Sequence, residues 1–246
     1  MKAFVLAAGL GTRLRPFTLS HPKALVPVGG VPMLGRVLSR LESQGFSNVV
    51  VNVHHFGDQI IEYLGQRDNE KQIVEISDER SQLLNTGGAL QHASGLLCKD
   101  NKPILVHNVD ILSNADLRGL YDHHLSAEND ITLLVSDRDS SRKLVFNDRY
   151  LLRAWHNVKD GIYKPVDFQR DGRDSDYAFS GIYVISPRAI EAMRSYGFEG
   201  EFSIIDYILA VKDSLKVEGY VSADLRMIDI GKPETLAQAN TELSEW

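Results

Sequence analysis

Residues 1–16 read MKAFVLAAGLGTRLRP, an apolar strand followed at once by a loop of glycines, arginines and a proline. Gly9 and Gly11 lie in this loop with Arg13, and Lys23 follows a few residues later. Glycine lets backbone N–H groups approach an anion without a side chain in the way, and the two cations supply the opposite charge. The stretch therefore predicts an anion-binding loop at the end of a buried strand.

The composition excludes several classes of protein. The chain has 246 residues, of which 43% are hydrophobic and 24% charged, with a formal net charge of -6. An acidic chain with dispersed lysines and arginines does not predict a nucleic-acid binder. No apolar run has the roughly 18 residues that a membrane span requires. The single cysteine, Cys98, excludes an internal disulfide, so we expect a soluble protein of the reducing cytoplasm.

Strand and helix patterns alternate in the first half of the chain. Apolar runs predict strands at 3–8, 48–55, 73–77, 103–112 and 131–136. Helices are predicted between them: from Met33 to Leu41, over 58–64, from the segment 86–88, and after Asn114 as the N-cap. This alternation is typical of a parallel sheet with helices on both faces. We expect an α/β fold: a three-layer, Rossmann-like domain with a mixed, mostly parallel central sheet.

The pattern changes after residue 136. Residues 143–157 predict a hairpin that turns at Asn147 and Asp148, and 167–176 a mobile polar loop. The remaining predicted elements are a strand over 179–186, a helix after Pro187, a helix over 201–214 capped by Ser203, a strand over 225–231 and a helix from Pro233. Since no repeat or linker interrupts the chain, we expect one domain over 1–246.

Four polar stretches, AAGLGTR, SDER, HNVD and IDIG, follow predicted strands. Ligands of open α/β sheets bind at the carboxyl ends of the strands, so the four stretches are expected to share one crevice. Two known nucleotide motifs are absent. Leu14 stands where a Rossmann fingerprint has its third glycine, and no P-loop sequence occurs. A triphosphate-binding loop and a surface turn with solvated charges remain, and the length of the pattern favours the first.

The segment LAAGLGTRLRPFTLSHPKALVPVGGVPML (6–34) resembles the signature of the sugar-1-phosphate nucleotidylyltransferases, also called nucleotide-sugar pyrophosphorylases. The resemblance continues in NTGGAL (85–90), HNVDIL (107–112), FSGIYV (179–184) and IDIGKPETL (228–236). It implies an enzyme that joins a nucleoside triphosphate to a sugar-1-phosphate by direct in-line attack and releases pyrophosphate. It also implies a nucleotide-binding half over about 1–136 and a sugar-binding half over about 137–246.

The resemblance assigns catalytic roles to charged residues. Arg13 would bind the β- and γ-phosphates, and Lys23 would bridge the α-phosphate and the incoming sugar phosphate, where charge builds up. Asp110 and Asp229 would hold Mg²⁺, an ion that one or two carboxylates bind together with substrate phosphates. Arg13, Lys23 and Asp110 are therefore the expected catalytic residues.

The other implied contacts divide between the two substrates. The expected nucleotide-binding residues are Leu6, Ala7, Ala8, Gly9, Gly11, Thr12, Arg13, Lys23, Asn85 and Gly88. Those expected to bind the sugar phosphate are Asn108, Arg142, Lys143, Gly181 and Glu201. The family's Glu-Lys-Pro motif, whose lysine holds the sugar phosphate, is missing. Tyr163-Lys164-Pro165 is a loose counterpart, and SSRK (140–143) offers Arg142 and Lys143 in its place.

The substrates follow less directly from the sequence. Many members of the family carry a C-terminal β-helix, and without one this chain resembles short N-acetylmuramate-1-phosphate uridylyltransferases and mannose- or heptose-1-phosphate guanylyltransferases. LNTGG (84–88) slightly favours UTP with N-acetylmuramate-1-phosphate or a related hexose-1-phosphate. A catalytically silent nucleotide-sugar sensor or regulatory subunit is an alternative, although a sensor would be expected to lose Lys23 or a metal aspartate. We expect a monomer or a small homo-oligomer.

Overall fold

Strands and helices alternate along the first half of the chain, as predicted. The structure is a computed structural model that describes residues 1–67 and 71–242. The strands in these residues are β1 (Lys2–Leu6), β2 (Pro27–Val28), β3 (Val31–Pro32), β4 (Asn48–Val53), β5 (Ile73–Asp78), β6 (Ile104–Asn108), β7 (Ile111–Ser113), β8 (Ile131–Ser136), β9 (Arg142–Phe146), β10 (Leu152–Asn157), β11 (Ile162–Lys164), β12 (Ser175–Ile185), β13 (Val217–Val221) and β14 (Met227–Asp229). The helices are α1 (Met33–Ser43), α2 (Gly57–Gly65), α3 (Asn85–His92), α4 (Ser94–Leu97), α5 (Leu117–Ser126), α6 (Pro187–Glu191), α7 (Ile204–Val211) and α8 (Pro233–Thr241).

In the described residues, ten of these strands form one mixed sheet. Its main path runs β11, β10, β9, β12, β6, β1, β4 and β5, while β8 pairs with β12 and with β13. The strands around the glycine loop are parallel, with β1 between β4 and β6 and with β5 beyond β4. The strands β9 to β12 are antiparallel. The predicted α/β fold with a mixed central sheet is confirmed.

Each face of the sheet is covered by its own helices and its own apolar core. Along β1, Ala3 and Val5 point to one face while Phe4 points to the other, because successive side chains of a strand alternate. The first face packs against α1, α2, α5 and α8, and the second against α3, α4, α6 and α7. This gives the predicted three layers. None of the described helices is long and apolar enough to cross a bilayer.

The strand predicted over 103–112 is interrupted, and this interruption positions the site. It divides into β6 and β7, with Val109 and Asp110 between them. The strand predicted over 225–231 shortens to β14, which pairs with β7 outside the main sheet. A separate two-stranded ladder, β7 with β14, therefore lies next to the carboxyl end of β6.

The predicted N-cap at Asn114 is wrong. Helix α5 begins after Asp116, whose carboxylate accepts the N–H of Gly119 at 2.8 Å. The Asn114 side chain instead accepts the N–H of Arg226 at 2.8 Å and donates to the Asp224 carbonyl at 3.0 Å. Asn114 therefore ties the segment before α5 to the segment before β14. The other predicted cap, Ser203 at the start of α7, is confirmed by its bond from the Ile205 N–H.

The segment 167–176 is a loop only up to Asp174, because Ser175 begins β12. The Asp174 carboxylate is buried, pairs with Arg153 at 3.2 Å and accepts the N–H of Asp171 at 2.8 Å. The predicted hairpin is present as β9 and β10, with Asn147 in its turn.

Helix α3 packs closely against the loop before α7. The N–H groups of Gly87 and Gly88 donate to the Phe202 carbonyl at 2.9 and 3.3 Å, and the Ile204 N–H donates to the Thr86 hydroxyl at 3.0 Å. A Cβ atom at Gly88 would collide with the carbonyl oxygen of Gly200. Glycine is needed here because two backbone segments touch.

We expect Gly88→Ala to lower the free energy of unfolding by about 1–3 kcal/mol, since the new methyl group forces the two segments apart. Gly95→Ala in α4 is the matched control, because a Cβ there meets nothing within 4 Å. The control should keep or slightly raise stability, as alanine favours helix. Urea unfolding measures both variants, and equal losses from the two substitutions would contradict the packing account.

Candidate active site

Two aspartates that are distant in sequence meet beside the end of β6. Asp229 ends β14, and its register partner across the two-stranded ladder is Ile111, the residue after Asp110. The N–H of Ile230 donates to the Asp110 carbonyl at 2.8 Å. The ladder between β7 and β14 therefore holds the two carboxylates side by side.

Two cations from the opening segment face these carboxylates. The Lys23 ammonium forms an ion pair with Asp110. A Cβ atom built on Gly231 would lie 2.6 Å from Nη2 of Arg13 and 2.7 Å from Oδ1 of Asp229, so the guanidinium lies next to that carboxylate. Arg13, Lys23, Asp110 and Asp229 therefore form one charged cluster.

The charges in this cluster affect one another. Burial and the neighbouring Asp110 charge raise the pKa of Asp229, whereas Lys23, Arg13 and Arg138 act in the opposite direction. Two carboxylates held together repel each other, so they favour a cation between or beside them. The cluster is suited to binding both a positive ion and phosphate groups.

Gly11 fixes the position of Lys23. Its φ of +62° is in the left-handed region that favours glycine, and a Cβ there would lie 2.8 Å from Cβ of Lys23. The Gly11 carbonyl accepts the buried Thr18 hydroxyl at 2.8 Å, which ties the loop to the segment before Lys23. A larger residue at this position would push the lysine away from Asp110.

A cavity of about 310 Å³, here called the strand-end cavity, lies between the loop and α3. Seven of the residues predicted for the site line it: Leu6, Ala8, Gly9, Lys23, Asn85, Asn108 and Asp110. Five lining residues were not predicted: Asn52, Glu79, Leu83, Thr86 and Val109. Three of the four predicted strand-end stretches, those after β1, β5 and β6, therefore contribute to one cavity, together with the end of β4. The fourth stretch, IDIG, does not line it.

Asn52 and Glu79 support the glycine loop from beneath. The amide oxygen of Asn52 accepts the Ala7 N–H at 2.6 Å, and its amide nitrogen donates to the Glu79 carboxylate at 3.1 and 3.2 Å. Both side chains are buried, and burial raises the pKa of Glu79 to about 7. The one sequence signal for this pair was a polar residue inside the apolar strand VVVNV, with an acid after the next strand.

Several predicted nucleotide-binding residues lie outside the lining of the strand-end cavity. Ala7 is buried and reaches the cavity only through its bond to Asn52. Thr12 and Arg13 are exposed in the 3₁₀ turn that follows Gly11. Gly88 faces Gly200 in the packing described above.

A second cavity of about 490 Å³, here called the hairpin cavity, adjoins β9 and β10. Its charged lining residues are Arg142, Lys143, Lys164 and Asp206. Lys164 pairs with Asp206 at 3.4 Å and lies 5.5 Å from the centre of the Trp155 ring. Arg142 and Lys143, the predicted substitutes for the missing Glu-Lys-Pro lysine, therefore share one cavity with Lys164 of the loose counterpart.

The other predicted sugar-site residues occupy different positions. Gly181 has a φ of +78°, and a Cβ there would lie 2.7 Å from Nδ2 of Asn108, so it lies against the strand-end cavity. Glu201 is exposed on the loop over 197–203 that precedes α7, and it lines neither cavity.

Comparison with known proteins identifies the family. The profile described as "Nucleotidyl transferase" matches residues 2–245, nearly the whole chain. The chain belongs to the nucleotidyl transferase family. This membership confirms the predicted enzyme class.

Relatives of this nucleotidyl transferase include members of both predicted groups. An N-acetylmuramate alpha-1-phosphate uridylyltransferase of Caulobacter vibrioides is 32% identical, over 99% of this chain and 97% of that protein. A mannose-1-phosphate guanylyltransferase of Mycobacterium tuberculosis is 33% identical, over 98% of this chain and 64% of that protein. A mannose-1-phosphate guanyltransferase of Pichia angusta is 29% identical, over 95% of this chain and 62% of that protein. The chain spans less than two thirds of the two guanylyltransferases.

Solved structures share the fold of this nucleotidyl transferase. HddC from Yersinia pseudotuberculosis, complexed with GMP-PN, gives a TM-score of 0.77 at 24% identity and covers 98% of this chain and 99% of that one. A UDP-glucose pyrophosphorylase complexed with UDP-glucose gives a TM-score of 0.80 at 17% identity and covers 99% of this chain and 98% of that one. At these identities the likeness shows the fold alone.

The raised pKa of Glu79 predicts a pH dependence of stability. The folded protein holds this proton more tightly than the unfolded chain, so the contribution of Glu79 is complete at acidic pH and declines as pH rises from about 4.5 to about 7. Over this window the loss is about 3 kcal/mol. Glu79→Gln removes the titrating group and retains an acceptor for Asn52. The unfolding free energy of this variant should therefore not decline between about pH 4.5 and 7.

Chemical unfolding at a series of pH values measures the effect, with the exposed Glu62→Gln as the control that should follow the wild-type curve. A Glu79→Gln curve parallel to wild type between pH 4.5 and 7 would show that Glu79 does not titrate as its burial requires.

Proposed function

We propose that this chain transfers a nucleotidyl group from a nucleoside triphosphate to a sugar-1-phosphate and releases pyrophosphate. The observation that carries the proposal is the charged cluster at the strand-end cavity, with a second, cation-lined cavity in the same chain. Lys23 and Asp110 line the strand-end cavity, while the hairpin cavity adds three cations of its own. Two polyanionic substrates repel each other, and such an arrangement of cations can hold both at once.

The reaction requires an oxygen of the sugar phosphate to attack the α-phosphorus in line with the departing pyrophosphate. Catalysis then depends on positioning and on neutralising charge, since no covalent intermediate is formed. Arg13 would bind the leaving pyrophosphate bidentately. Lys23 would leave Asp110 to contact the α-phosphate and the incoming phosphate together, where negative charge increases in the transition state.

The donor set fits a hard divalent cation, and members of the family generally depend on a divalent metal. Asp110 and Asp229 supply carboxylate oxygens, and in the described residues no third histidine, cysteine or acid joins them in a metal-binding group. Two carboxylates with room for phosphate oxygens suit Mg²⁺. When bound, the ion would neutralise phosphate charge, and Asp110 and Asp229 would hold it.

The two halves of the chain would take one substrate each. The half over about 1–136 provides the lining of the strand-end cavity, so we assign this cavity to the nucleotide. The hairpin cavity lies within about 137–246 and would take the sugar-1-phosphate. Asn108 and Gly181 lie where the two substrates would meet.

For the substrates, UTP with N-acetylmuramate-1-phosphate or a related hexose-1-phosphate is our first choice. Its support is the Caulobacter relative, which this chain matches over nearly its whole length. Mannose- or heptose-1-phosphate with GTP is the second choice, supported by the guanylyltransferase relatives. A cytoplasmic location belongs to the proposal, consistent with the free thiol of Cys98.

Pyrophosphate release from each nucleoside triphosphate with a panel of sugar-1-phosphates tests the proposal. We expect turnover with at least one pair, highest with UTP. Nucleotide binding without turnover for any pair would contradict the enzyme and favour a silent sensor.

Asp110→Asn should lower kcat by at least about 100-fold without unfolding the protein, because it removes one carboxylate of the cluster. The matched control is Asp122→Asn on α5, whose partner is the exposed Arg118. The control should keep wild-type kcat. Steady-state kinetics with circular dichroism spectra measure both, and near-normal turnover of the Asp110 variant would remove this residue from the catalytic site.

A further inference from the structure

The segment after β8 places an arginine at an irregular part of β12. Arg138 lies two residues after the end of β8 and belongs to none of the motifs recognised in the sequence. The pairing of β12 with β8 shifts register between Phe179 and Tyr183, a feature that often occurs beside active sites. The Arg138 Nη2 donates to the Phe179 carbonyl at 3.0 Å. The guanidinium is therefore anchored on the irregular strand.

The hydrogen-bonding capacity of Arg138 is only partly used. Its Nη1 donates to the Asp139 carbonyl at 3.5 Å, a long contact, and its buried Nε has no partner in the described part of the chain. A guanidinium has five donors in a planar fork, and Arg138 is a half-buried cation without a paired anion within ion-pair distance in the described residues. Such a group is suited to an anion that arrives from outside the protein.

The surroundings of Arg138 indicate where that anion would lie. Burial lowers the pKa of Arg138, and the opposing charge is that of Asp229 in the carboxylate pair. On its other side, Phe179 lines the hairpin cavity, together with Ser140 and Arg142 from the same segment as Arg138. Arg138 therefore contacts a residue that lines the cavity assigned to the sugar-1-phosphate and is within electrostatic range of the carboxylate pair.

We propose that Arg138 is a catalytic residue that binds the phosphate of the sugar-1-phosphate at the junction of the hairpin cavity and the Asp110–Asp229 pair. The inference rests on the proposed function. The planar fork of arginine matches two phosphate oxygens and would orient the third oxygen toward the nucleotide. Arg138 would thus take the part of the lysine in the missing Glu-Lys-Pro motif, while Arg142 and Lys143 contact the sugar phosphate from the cavity wall.

Steady-state kinetics of Arg138→Met and Arg138→Lys, with each substrate varied in turn, test this assignment. For Arg138→Met we expect KM for the sugar-1-phosphate to rise at least about 10-fold and kcat to fall at least about 100-fold, with KM for the nucleoside triphosphate within about 2-fold of wild type. Arg138→Lys should recover part of both losses because it restores the charge. Arg194→Met is the control, since its side chain is 75% exposed, and it should be unchanged.

A structural role would be revealed by other results. Unfolding midpoints show whether the variants fold, and if Arg138→Met does not, Arg138→Ala with added guanidinium ion replaces it. Recovery of turnover by the free ion supports the contact with phosphate. An unchanged KM for the sugar-1-phosphate, or a rise confined to the KM of the nucleotide, would overturn the proposal.

The test also separates this inference from the proposed function. Wild-type protein that turns over no substrate pair refutes the function. In that case calorimetric binding of inorganic phosphate to wild type and to Arg138→Met still decides the site: weaker binding by the variant supports an anion site at Arg138, and equal binding overturns it.

Discussion

The site depends on one constraint: two carboxylates must stay side by side although they repel each other. The backbone enforces this, because the bond from the Ile230 N–H to the Asp110 carbonyl and the β7–β14 pairing fix the separation of the two chains. Without any ligand, the positive charges of Lys23 and Arg13 reduce the repulsion between the two carboxylates. A cluster balanced in this way has an electrostatic reason to accept a divalent cation and a triphosphate, since the lysine can exchange its carboxylate partner for phosphate.

Neighbouring strands hold the loop and the side chains around this cluster in fixed positions. The glycine loop leaves β1 in the middle of the sheet, and Asn52 holds its first residue from the neighbouring strand. On the other side, the irregular part of β12 brings Gly181 against Asn108. Under the proposed function, substrate groups would meet backbone and buried side chains whose positions are already fixed, which is the condition under which positioning lowers a barrier.

Features that depend on local sequence were predictable. Apolar runs, the glycine loop and the four strand-end motifs predict the parallel core of the sheet and the crevice at its edge. The family resemblance assigned Arg13, Lys23, Asp110 and Asp229 to one site. The strand-end rule for parallel sheets accounts for the motifs after β1, β5 and β6, whereas Asp229 reaches the cluster through the β7–β14 ladder. Ser203 was predictable as a cap because its bond is to a residue two positions away.

Features that depend on long-range contacts were not predictable. Asn114 has the sequence of a cap, but it bonds to a segment more than a hundred residues away. The support of Ala7 by Asn52 and Glu79 also joins three separate strands, and no spacing rule reveals it. Lys164 reaches the hairpin cavity because β11 pairs with β10, a pairing that a three-residue strand hardly signals.

The most direct measurement is a crystal structure of the protein with Mg²⁺ and a non-hydrolysable nucleoside triphosphate analogue. The account predicts the metal ion on the carboxylates of Asp110 and Asp229, the triphosphate along the glycine loop, and the Lys23 ammonium moved from Asp110 to the α-phosphate. A triphosphate bound elsewhere, with Lys23 still paired to Asp110, would contradict it.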